Sequence, residues 1–130
     1  MEELRKLVNS LNDVKTYKKE AVLIDIYIYI LTHKEGLLKN SLLDVFVEIS
    51  NWRDAILCDG SEGYYGDEIY EEKKSLIESL KKYASTELLN MYVAGFQGGE
   101  QNWEIIDDWV VDNKWQMNDW LSAMIRTYMN

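Results

Sequence analysis

The sequence predicts an all-α fold, a single irregular bundle of six to seven helices over residues 1–130. Three observations carry that reading. Apolar residues recur at i, i+3, i+4 and i+7 through nearly the whole chain, the spacing that gathers them on one face of a helix. Proline is absent, so nothing interrupts a helix from within, and ends must be marked by glycine and polar caps. The one stretch that alternates as a strand does, through Ile24, Ile26, Ile28 and Ile30, has no second stretch to pair with.

Each element follows from its own pattern. Leu4, Leu7, Val8 and Leu11 form the apolar stripe of a first helix. Residues 17–33 read as a central helix, apolar on most sides, with Lys34-Glu35-Gly36 as its stop. Leu42, Val45, Phe46, Ile49, Trp52 and Ile56 mark a third, ending near Gly60. Residues 58–68, CDGSEGYYGDE, are then the longest non-helical piece. Ile69, Leu76, Ile77, Leu80, Tyr83 and Ala84 define a fourth helix starting near Asp67. Ser85 or Thr86 caps a fifth that carries Leu88, Leu89, Met91 and Tyr92 and stops before Gly98-Gly99. Trp103, Ile106, Trp109 and Val110 give the sixth, and Trp115, Trp120, Leu121, Met124, Ile125 and Tyr128 the last. The spacing of the tryptophans fits helix packing rather than a ligand pocket.

Composition narrows the class. With 47% hydrophobic and 28% charged residues, the chain is neither a disordered tail nor a membrane protein. Its longest apolar stretch is broken by Asp25 and is too short to span a bilayer. The first residues, MEELRKLVNSLN, read as an amphipathic helix rather than a secretion signal. The lone Cys58 excludes an internal disulfide and is expected to be a small apolar residue near a helix end. These features lead to an expected cytoplasmic location.

The net charge of −9 is unevenly placed. Residues 1–40 carry seven Lys/Arg against six Asp/Glu, and residues 41–130 carry seven against seventeen. Two base-free stretches hold much of the excess: Asp59, Glu62, Asp67, Glu68, Glu71 and Glu72, then Glu100, Glu104, Asp107, Asp108 and Asp112. A field of this sign repels nucleic acid and anionic membranes and steers basic proteins into encounter. Direct nucleic-acid and membrane binding are therefore set aside.

Little in the chain points to catalysis. One histidine, His33, stands where a basic group favours a helix C-terminus, and no nucleophile motif surrounds any serine. One His and one Cys cannot build a structural zinc site, and Asp59-Gly60-Ser61-Glu62-Gly63 lacks the calcium-loop pattern. The glycine pair of GFQGGEQN lacks the lysine and spacing of a phosphate loop. No cofactor, metal or catalytic set is expected, although the many carboxylates leave a two-carboxylate hydrolase as an alternative.

What remains is surface. Tyr64 and Tyr65 lie among the first group of acids; either they offer rigid contact area to a partner, or they fold back to plug the bundle. Glu104, Asp108 and Asp112 stand at i, i+4 and i+8, so they share one helix face with like charges stacked along it. The expected partner-binding residues are Asp59, Glu62, Tyr64, Tyr65, Asp67, Glu68, Glu71 and Glu72, then Glu104, Asp107, Asp108 and Asp112.

A small, acidic, cysteine-poor helical chain with a Gly-Tyr-Tyr segment resembles the immunity proteins of bacterial toxin–immunity systems, including those of contact-dependent growth inhibition. Residues 52–80, with DGSEGYY followed by Glu71, Glu72, Leu76 and Leu80, also resemble the helical DNA-mimic family, without that family's Asn-Gly-Gly loop and paired phenylalanines. The first resemblance implies a cognate toxin as partner, a nuclease in many such pairs, its active site covered by acidic and aromatic side chains. The second implies occupation of a DNA-binding protein. The chain is expected to be a monomer or a weak homodimer, and a purely structural role is the remaining alternative.

Overall fold

The computed structural model describes all of residues 1–130 and is all-α, with seven α-helices and no strand. The helices are α1 (Glu2–Ser10), α2 (Lys19–Thr32), α3 (Ser41–Tyr65), α4 (Lys74–Tyr83), α5 (Thr86–Ala94), α6 (Glu100–Asp112) and α7 (Lys114–Met129), with short 3-10 turns between several of them. The chain divides into two compact units, Asn51–Asn113 and the pair of segments Met1–Ser50 and Lys114–Asn130. No helix is long and apolar enough to cross a membrane.

In the unit built from both ends of the chain, α2 packs against α1 and α7. Leu4 and Val8 of α1, Leu23, Ile26 and Ile30 of α2, and Leu121 and Ile125 of α7 are buried. Helix, not strand, wins for residues 21–31 because every backbone group is satisfied within the segment, whereas a strand would need an edge to join. Polar ties fix the start of α2. The Asn118 side chain, itself buried, donates to the Thr16 carbonyl at 3.0 Å, and Lys19 pairs with Asp119 at 3.1 Å. His33 forms the C-cap of α2, its ring stacked on Tyr29 at 4.0 Å and its Nδ1 2.9 Å from the Tyr29 carbonyl oxygen. The expectation that α2 is central is corrected: Ile24, Ile28 and Leu31 are exposed.

The other unit holds the second half of α3 with α4, α5 and α6. Its interior is aromatic as much as aliphatic: Trp52, Tyr64, Tyr65 and Tyr92 are buried together with Ile77, Leu80, Leu88, Ile106 and Val110. The Ser85 hydroxyl accepts from the Leu88 amide at 3.2 Å, the N-cap its sequence promised for α5.

Four further expectations are corrected. Residues 58–65 are not a loop, because α3 continues to Tyr65 across a kink at Gly60 (φ 77°, ψ 173°). Only glycine takes that backbone conformation without strain, so the residue expected to end the helix bends it instead. α4 begins at Lys74 rather than near Asp67, after a 3-10 turn at Tyr70–Lys73. An α-helix there would stack Asp67 on Glu71 and Glu68 on Glu72, two like-charged i, i+4 pairs. Cys58 is exposed, since it lies on the side of α3 facing away from Trp52 and Ile56. Among the tryptophans, Trp115 departs from the packing expectation at 42% exposure, with the Lys114 ammonium 4.2 Å from its ring centroid.

Candidate functional site

The kink at Gly60 leaves the last turn of α3 with a fresh N-terminus whose amides have no helical acceptor. Asp107, from the middle of α6, supplies one. Its Oδ1 accepts from the Ser61 amide at 2.7 Å and from the Ser61 hydroxyl at 2.6 Å. Gly60 is close to the same carboxylate, since a Cβ there would sit 3.3 Å from Asp107 Oδ2. A carboxylate at this position also complements the positive end of the helical turn. Asp107 is thus a strut between α3 and α6, and it brings the two acidic stretches into one neighbourhood.

Past that strut, the turn at 61–65 carries Tyr64 and Tyr65 inward, where they are 4% and 6% exposed. Tyr65 is the centre of a buried network. Its hydroxyl accepts from Trp52 Nε1 at 2.8 Å and donates to the Tyr92 carbonyl at 2.7 Å. Tyr64 and Tyr92 share a hydroxyl–hydroxyl hydrogen bond of 3.2 Å, and Phe96 meets Tyr65 and Tyr92 edge-on. Gly95 is required by this arrangement, because a Cβ there would overlap the Tyr65 ring. Of the two readings of these tyrosines, the plug is the one the structure has; their contact area is not at the surface.

The first acidic stretch is partly neutralised by the bases that follow it. Glu68 pairs with Lys73 at 3.2 Å and Glu71 with Lys74 at 2.8 Å. The hydrogen bond and charge of Glu71 hold the Lys74 pKa above its ordinary value. Asp59, Glu62, Asp67 and Glu72 remain exposed.

The second stretch is different in kind. Glu100, Glu104, Asp108 and Asp112 are all exposed, and none is in an ion pair. At 100° per residue they fall within an arc of about 120° and span roughly 18 Å of helix. Ile105 and Val111, 54% and 50% exposed, share that outer face, while Ile106 and Val110 are buried on the other. The face is therefore an uncompensated acidic strip interleaved with two aliphatic side chains. Sequence spacing identified its acids, but the two aliphatics were missed. Their signal was present: Ile105 and Val111 lie off the stripe defined by Ile106 and Val110.

The Asp107 strut ties α6 to Gly60 and Ser61 of α3, the two residues that lie in sequence between Asp59 and Glu62. No three His, Cys, Asp or Glu side chains converge as a metal ion requires. No protein-family model, curated protein or solved structure matches this chain.

Proposed function

We propose that this protein is an inhibitor of the immunity type, which binds a basic toxin domain in the bacterial cytoplasm and covers its active site. The observation that carries the reading is the outer face of α6. Stacked like charges cost a free helix a few tenths of a kcal/mol per pair, a cost that a cationic partner would relieve. Ile105 and Val111 would give that partner something apolar to bury, and the acids around them would set orientation and speed of encounter. Asp59 and Glu62 would extend the surface across the strut. Partner chemistry of this kind suits a nuclease, whose own site must be cationic to hold phosphates.

The test is retention from lysate at low and high salt, followed by the variant Glu104→Lys/Asp108→Lys/Asp112→Lys. The expected result is a basic toxin domain, retained at low salt, whose activity is blocked by the wild-type chain. Its association with the triple variant should be slower by at least about tenfold, with a flatter salt dependence. Equal association of the triple variant would overturn the α6 assignment, and a retained DNA-binding protein released by duplex DNA would establish mimicry instead.

A further inference from the structure

We draw no further inference here: the strongest candidate, the exposed apolar side of α2 formed by Ile24, Ile28 and Leu31, carries no proposal because nothing in the structure shows what covers it.

Discussion

Tyr65→Phe isolates what holds the interior of residues 51–113 in place. The substitution keeps the ring, and with it the contact with Gly95 and the edge-on packing on Phe96. It deletes only the hydroxyl, which accepts from Trp52 Nε1 and donates to the Tyr92 carbonyl. Trp52 is 0% exposed, so its indole N–H would lose its acceptor where water cannot replace it. Leaving a buried donor unsatisfied costs about 1–3 kcal/mol, and the lost bond to the Tyr92 carbonyl adds about 1 kcal/mol. The expected loss is therefore about 2–4 kcal/mol, a large share of the roughly 5–15 kcal/mol that stabilises a typical domain. Urea unfolding followed by tryptophan fluorescence reads it directly. With an m-value of about 1.5 kcal/mol/M, the midpoint should fall by roughly 1.3–2.7 M. Pairing Tyr65→Phe with Trp52→Phe should show a coupling of about 1 kcal/mol or more. A midpoint shift below about 0.3 M would refute the reasoning, because the loss would then fall below what even one net hydrogen bond contributes.

Three other outcomes follow from the same geometry. Gly95→Ala should cost more than about 3 kcal/mol or prevent folding, because its Cβ would overlap the Tyr65 ring; Gly98→Ala, with open space but φ 74° and ψ −172°, should cost about 1–3 kcal/mol in thermal melts, from backbone strain alone. Asp107→Ala should cost about 1–2 kcal/mol and speed hydrogen exchange at the Ser61 amide, since that amide loses its acceptor; unchanged exchange would mean that Asp107 is not a strut. Asp108→Asn should stabilise the free protein by a few tenths of a kcal/mol, by relieving the repulsion from Glu104 and Asp112, and should slow association with a basic partner. Stability and affinity moving together in one direction would count against the α6 assignment.

Periodicity made the helices legible because it reports what a helix must do locally. The stripes of α1, α3 and α6 and the Ser85 cap all stand where their residues put them. The acids of α6 were legible for the same reason, since i, i+4 spacing is itself helix geometry. The misreadings concern residues whose fate depends on distant neighbours. Gly60 reads as a terminator until Asp107, 47 positions further along, is seen to support the turn beyond it. Tyr64 and Tyr65 read as surface contacts because glycines and acids flank them; they are interior because Trp52 and Tyr92 offer partners for their hydroxyls. Glu68 and Glu71 read as free charge until Lys73 and Lys74 turn back onto them.

The sequence by itself therefore determined the all-α class, the position of nearly every helix and the sign and placement of the charge. Those properties are set by backbone hydrogen bonding within a segment and by the period of its side chains. Only the tertiary structure decided which aromatic residues turn inward, which acids stay uncompensated, and which of α2's two apolar faces is covered. Each of those depends on the environment that remote residues supply, and burial or pairing is a property of that environment rather than of the residue.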